Sequence, residues 1–158
     1  ETDAPGVDAT VAETLRSAEE LVRCRLAEYG RSPERYGLIH ADMRLANLLI
    51  DDNETRLIDF DDCGFGWFMY DFAAGISFME DHPQVPALRA AWAEGYRSVR
   101  PLGDEDEFEI DSFIMLRRMA LLAWIGSHAD TDLARSQAPH FASGTARLAA
   151  DYLERFAK

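Results

Sequence analysis

Apolar residues at three- and four-residue spacing begin near the start of the chain. Val11, Leu15, Ala18, Leu21, Val22 and Leu26 fall on one face, which predicts an amphipathic helix over about residues 8–29. Gly30-Arg31-Ser32-Pro33 ends it. Three short apolar runs follow. Tyr36-Gly37-Leu38-Ile39 reads as a strand, and so do Leu48-Leu49-Ile50 and Thr55-Arg56-Leu57-Ile58. The last two flank the polar Asp51-Asp52-Asn53-Glu54, so they predict a β-hairpin. Residues 72–79 are apolar nearly all round and predict a buried helix, and Pro83 and Pro86 mark the next loop. A helix over 86–99 carries Leu88, Trp92 and Tyr96 in a stripe. After Pro101-Leu102-Gly103 a long helix starts on four consecutive acids from Asp104 and continues through Phe113, Leu116, Met119 and Trp124. A final helix over about 140–156 aligns Leu148, Tyr152 and Phe156. The pattern is that of an α+β chain, predominantly helical, forming one domain over 1–158 with a small hairpin and no internal repeat.

The hairpin changes the picture because of the residues at its ends. The first strand delivers His40 and Asp42 to a loop, Asn47 opens the second, and Asp59 closes the third, twelve residues after Asn47. A hairpin makes neighbours of Asn47 and Asp59, as a shared cation requires. The resulting H-x-D-x-x-x-x-N followed by I-D-F has the spacing of kinase active sites, where one carboxylate holds a substrate hydroxyl while a carboxamide and a second carboxylate hold magnesium. Magnesium takes hard oxygen ligands and keeps several from water or phosphate, so two protein ligands suffice.

Four segments in order carry a family resemblance. Leu38-Ile39-His40-Ala41-Asp42 resembles the H-G-D box of the aminoglycoside phosphotransferase and choline kinase group, with Ala41 where Gly is usual. Asn47-Leu48-Leu49-Ile50 resembles its N-[LI]-[LI] strand, Leu57-Ile58-Asp59-Phe60 its I-D-[FW] metal motif, and Tyr70-Asp71-Phe72-Ala73 the D-L-A segment that opens the next helix. The resemblance implies the C-terminal lobe of a protein-kinase-like fold and an ATP- and Mg2+-dependent transfer of the γ-phosphoryl group to a small-molecule hydroxyl. Asp42 would hold the acceptor hydroxyl, Asn47 and Asp59 would bind metal and nucleotide, and Arg44 would neutralise the moving phosphoryl group. His40 and Asp71 would be structural supports, the latter bracing the catalytic loop. Asp61 is a candidate outer-shell partner of the metal, set against a solvated charge pair with Asp62. Trp67, in a loop expected between Asp59 and Asp71, is a candidate wall of the acceptor pocket, set against a core aromatic. Arg44 stands where Ser/Thr protein kinases carry a Lys, so a protein kinase of the same extended group is the alternative in chemistry. A non-catalytic binding module on the same scaffold is the alternative in class.

Composition bears on what surrounds this core. The only Lys is Lys158 and no G-x-G-x-x-G occurs, while Gly64-Phe65-Gly66 follows the metal motif and reads as a turn. The nucleotide-binding N-terminal lobe of the resembled enzymes is therefore expected to be absent from this chain, which starts at Glu1 without an initiator Met. The fragment alone is expected to be inactive. A net charge of −13 disfavours a nucleic-acid partner and suits a cationic acceptor such as an amino alcohol or amino sugar. The acids from Asp104 onward read either as a cation-binding wall or as helix-start residues favoured by the dipole. Two cysteines, Cys24 and Cys63, with no membrane-length apolar run and no leader pattern, lead to the expectation of a cytoplasmic protein without disulfides.

Overall fold

The computed structural model describes residues 4–51 and 54–157. In chain order the elements are α1 Ala9–Tyr29, β1 Tyr36–Ile39, a 3-10 turn Leu45–Asn47, β2 Leu48–Asp51, β3 Glu54–Leu57, β4 Gly64–Trp67, α2 Tyr70–Gly75, α3 Val85–Val99, α4 Asp104–Ser127 and α5 Asp132–Phe156. The chain is mostly helical, as the apolar periodicity predicts. No helix among the described residues is long and apolar enough to cross a membrane. Two compact units share the chain: Glu1–Glu28 with Met115–Lys158, and Tyr29–Ile114.

In the first unit the buried side chains come from helical faces, among them Ala18, Val22, Leu122, Ile125, Phe141, Ala142 and Ala149. The guanidinium of Arg118, itself buried, lies 3.6 Å from the Phe141 ring centroid and donates through Nε to Thr145 Oγ1 at 2.9 Å. α5 begins eight residues earlier than the sequence predicts, at Asp132 instead of 140. Thr131 caps it, accepting from the Ala134 N–H at 3.3 Å, and the helix runs through Pro139. The buried stripe of Phe141, Thr145, Ala149, Tyr152 and Phe156 outweighs the one hydrogen bond that a proline removes.

The second unit holds both sheets. β1 pairs antiparallel with β4, Tyr36 opposite Trp67 and Ile39 opposite Gly64, while β2 pairs with β3, Leu48 opposite Leu57 and Asp51 opposite Glu54. The hairpin is therefore present, with positions 52 and 53 of its expected polar turn outside the described residues. The segment Gly64-Phe65-Gly66 is a strand and not a turn. A Cβ at Gly66 would stand 2.4 Å from Ile39 Cδ1, and one at Gly37 would stand 2.8 Å from the Phe68 ring, so these glycines permit close approach of two strands. The expected helix over 72–79 is also corrected. α2 ends at Gly75, and Phe78 adopts a left-handed φ of 68°, a conformation that no helix interior can hold.

The acids that open α4 are tied to this unit's arginines. Asp106 Oδ1 accepts from the Tyr29 hydroxyl at 2.8 Å and Arg35 Nε at 2.9 Å, Glu105 accepts from Arg35 Nη2 at 2.6 Å, and Glu107 accepts from Arg97. These pairings favour the helix-start reading of the acidic run over a cation-binding wall. Burial, and then the hydrogen bond to Asp106, raise the Tyr29 hydroxyl above its ordinary pKa of about 10. The folded state thus holds this proton more tightly than the unfolded chain does. The associated stability is complete below about pH 10 and is lost as pH rises through the higher folded-state value. Urea midpoints measured upward from about pH 10 should fall more steeply for the wild type than for Tyr29→Phe.

Candidate active site

All the site residues expected from the sequence lie in the unit Tyr29–Ile114. β1 ends at Ile39, and the chain enters a loop whose first two amides are held by one carboxylate: Asp71 Oδ2 accepts from the His40 N–H at 3.0 Å and Oδ1 from the Ala41 N–H at 2.8 Å. Asp71 stands in the first turn of the short α2, where its carboxylate reaches the loop. Held this way, Ala41 takes a left-handed φ of 66°. That conformation costs an L-residue roughly 1–2 kcal/mol, part of which glycine returns through its greater unfolded-state freedom. Ala41→Gly should therefore stabilise the chain by about 0.5–1 kcal/mol in urea denaturation.

His40 is buried and its Nε2 lies 3.0 Å from the Ile58 carbonyl oxygen, so Nε2 carries the proton and donates. Its ring packs 4.8 Å from that of Phe60, and its Nδ1 has no hydrogen-bond partner among the described residues. The imidazole thus links the loop after β1 to the residues on either side of Asp59.

Asp42 is buried and its carboxylate is held from two directions. Arg44 Nε lies 3.1 Å from Oδ1 and 2.9 Å from Oδ2, and Asn47 Nδ2 lies 3.2 Å from Oδ2 while also donating to the Asp42 carbonyl at 2.8 Å. The loop backbone closes on itself as well, with Arg44 N–H donating to Asp42 O and Asn47 N–H donating to Arg44 O, both at 2.8 Å. The 3-10 turn over Leu45–Asn47 makes this compact closure and brings Asn47 under Asp42. The sequence spacing gave no sign of this direct Asn47–Asp42 contact, because it depends on the turn.

Asn47 and Asp59 leave the β2–β3 hairpin at the same end. The ladder extends one step past Leu48 and Leu57 through the Ile58 N–H, which donates to Asn47 O at 3.1 Å, and Asp59 follows with a left-handed φ of 66°. Asp is among the residues that tolerate this region. With its amide nitrogen committed to Asp42, Asn47 retains Oδ1 as a hard oxygen donor. Asp59 is exposed, and its carboxylate has no protein partner among the described residues. These two oxygen donors fit a divalent cation of the magnesium type that takes its remaining ligands from water and phosphate. Among the described residues no three His, Cys, Asp or Glu side chains form a closed metal cage. The hairpin and the residues flanking its open end expose Leu45, Leu49, Ile50, Leu57, Ile58 and Phe60.

Two expected outer residues have less direct positions. Asp61 and Asp62 are exposed in a turn closed by the Cys63 N–H to Phe60 O at 3.1 Å, and Asp61 has no protein partner among the described residues. Trp67 lies at the end of β4 and not in a loop. Its indole N–H donates to Gly30 O at 2.7 Å, and its ring packs near Tyr36 at 5.5 Å, Phe113 at 5.8 Å and the Arg31 guanidinium at 5.0 Å. These contacts give Trp67 a place in the packing of its unit and leave an acceptor-pocket role without a supporting contact.

Known proteins resemble this chain in sequence and in fold. The chain is 29% identical over 116 residues to amicoumacin kinase of Bacillus subtilis, an alignment covering 68% of this chain and 34% of that protein. It is 37% identical over 75 residues to homoserine kinase of Neisseria meningitidis, covering 45% of this chain and 25% of the other. Among solved structures, a microcompartment-associated aminopropanol kinase superposes with a TM-score of 0.90 at 46% identity, covering 97% of this chain and 48% of that one. The amicoumacin kinase hAmiN superposes with a TM-score of 0.69 at 23% identity, over 94% of this chain and 46% of that one, a likeness of fold. The chain thus spans about half the length of the solved structures and about a third of the curated amicoumacin kinase. Residues 2–106, which include every residue of the site described above, match the phosphotransferase enzyme family, and the chain belongs to that family.

Proposed function

We propose that this chain is the acceptor-side, C-terminal lobe of an ATP- and magnesium-dependent kinase whose acceptor is the hydroxyl of a small amino alcohol. The observation that carries the reading is the Asp42 carboxylate, buried and oriented by Arg44 and Asn47, beside a hairpin end that offers Asn47 Oδ1 and Asp59 as hard oxygen donors. Phosphoryl transfer has a loose transition state, so catalysis rests on positioning and charge neutralisation more than on a strong base. Asp42 would accept the hydrogen bond of the acceptor hydroxyl and take its proton as the new oxygen–phosphorus bond forms. The bond from the γ-phosphorus to the bridging oxygen breaks, and that oxygen leaves on ADP with the electron pair. Magnesium, held by Asn47 and Asp59 when bound, would supply charge neutralisation on the donor phosphates. His40 and Asp71 would keep the loop and the Asp59 strand in register.

The acceptor class rests on the aminopropanol kinase, which is 46% identical to this chain, together with the net charge of −13, which favours a cationic acceptor. The remaining phosphate contacts would come from polypeptide outside this chain, so the chain alone should turn over no acceptor. A radiolabelled phosphate-transfer assay on the full-length protein, with 1-aminopropan-2-ol, homoserine, an aminoglycoside and a generic protein acceptor, tests the reading. Turnover of the amino alcohol in preference to the others is expected. Preference for the protein acceptor would replace the small-molecule assignment with a Ser/Thr protein kinase, and transfer to none of the four would reject the enzyme assignment.

A further inference from the structure

We propose that Arg44 is a two-ended bridge that couples the binding of the two substrates, so that a nucleoside triphosphate strengthens acceptor binding while a diphosphate does not. The proposal rests on the phosphotransferase reading above and deepens it. A guanidinium carries five N–H donors in a planar fork. Arg44 directs only the one on Nε to Asp42, shared between Oδ1 at 3.1 Å and Oδ2 at 2.9 Å. Its Nη1 and Nη2 meet no acceptor among the described residues, and the side chain is 34% exposed where that of Asp42 is 12% exposed. One edge of the cation is therefore fixed on the buried carboxylate while four donors remain available toward solvent, in the geometry that suits the oxygens of a phosphate.

The position of that fork is fixed by its backbone. Arg44 N–H is bonded to Asp42 O and Arg44 O to Asn47 N–H, so the residue sits between the hydroxyl-holding carboxylate and a proposed metal ligand. With no anion present, Asp42 is the anion against which the guanidinium is held, and the Nε–H competes with an acceptor hydroxyl for the carboxylate lone pairs. An anionic phosphate on the Nη edge draws part of that charge away and leaves Asp42 a better hydrogen-bond acceptor. The coupling acts through one side chain and is reciprocal by thermodynamic necessity: the acceptor must tighten the triphosphate by the same factor. A lysine at this position should reproduce the effect only weakly, because its ammonium is a compact charge on a flexible stem without the planar fork that fixes one edge on Asp42 and offers the other to phosphate.

Titration calorimetry on the full-length protein reads this directly, using 1-aminopropan-2-ol as acceptor probe with Mg–AMP-PNP or Mg–ADP as nucleotide. The wild type should bind the acceptor about fivefold to tenfold more tightly with Mg–AMP-PNP than without nucleotide, and no more tightly with Mg–ADP. Arg44→Gln should abolish that difference and the preference for Mg–AMP-PNP over Mg–ADP. Arg44→Lys, which keeps the charge and guards against a folding defect, should restore part of the triphosphate preference but little of the coupling. Coupling of wild-type size in Arg44→Gln or Arg44→Lys would overturn the proposal, as would an undiminished triphosphate preference in Arg44→Gln. Failure of the amino alcohol to bind the wild type under all conditions would sink the acceptor class instead, and the triphosphate preference would then decide the role of Arg44 by itself.

Discussion

Asp42→Asn should lower kcat of the full-length protein by about 10²–10⁴-fold, the range that a positioned proton acceptor contributes. The amide is nearly the same size, and its oxygen can still accept from Arg44 Nε or Asn47 Nδ2, both of which now reach the carboxylate. It cannot accept from both neighbours and from a hydroxyl as an anion does, and it has no place for the hydroxyl proton. Loss of the ion pair with Arg44 should affect folding much less. That guanidinium is 34% exposed and can be resolvated, so the pair's contribution is discounted to about 1 kcal/mol or below. The expected signature is a large fall in kcat, little change in nucleotide KM and a urea midpoint close to that of the wild type. Wild-type turnover in this variant would remove Asp42 from the mechanism.

The expectation about Asp42 could be formed from sequence because the spacing His40, Asp42, Asn47, Asp59 survives folding as a consequence of backbone rules. A strand ends, a loop turns, and a hairpin returns the chain to the same end. The long helices were legible for a similar reason, since α1, α3 and α4 carry their own apolar periodicity to within about three residues of their observed ends. What the sequence hid was governed by contacts between distant residues. β4 reads as a glycine turn until Ile39 and Phe68 are seen to need the space that Gly66 and Gly37 leave. The early start of α5 is masked by Pro139, a local signal overridden by a buried face. The partners of Trp67, the carbonyl of Gly30 and the ring of Phe113, could not be read from its place in the chain. The grip of Arg44 and Asn47 on Asp42 was equally invisible, because which donor reaches which oxygen is decided by a 3-10 turn.

Asp71→Asn should be the most destabilising single change at the site. Both carboxylate oxygens of Asp71 accept backbone N–H groups, from His40 at 3.0 Å and from Ala41 at 2.8 Å, and both bonds are charge-assisted. Asparagine supplies one acceptor oxygen and turns an NH2 toward the other amide, so one part-buried N–H faces another donor. Losing one such bond and leaving its donor unmet costs about 2–4 kcal/mol, a large fraction of the 5–15 kcal/mol typical of a domain. The effect should extend to activity, because the left-handed Ala41 is held by these same bonds and Asp42 is the next residue. Urea denaturation gives the stability term, and kcat measured well below the melting temperature separates displacement of the loop from global unfolding. The double variant Asp71→Asn/Ala41→Gly should recover about 0.5–1 kcal/mol, since glycine removes the backbone strain that the missing bonds no longer restrain. A loss below about 0.5 kcal/mol in the single variant would mean that the loop after β1 keeps its shape without Asp71, against the range expected for such bonds.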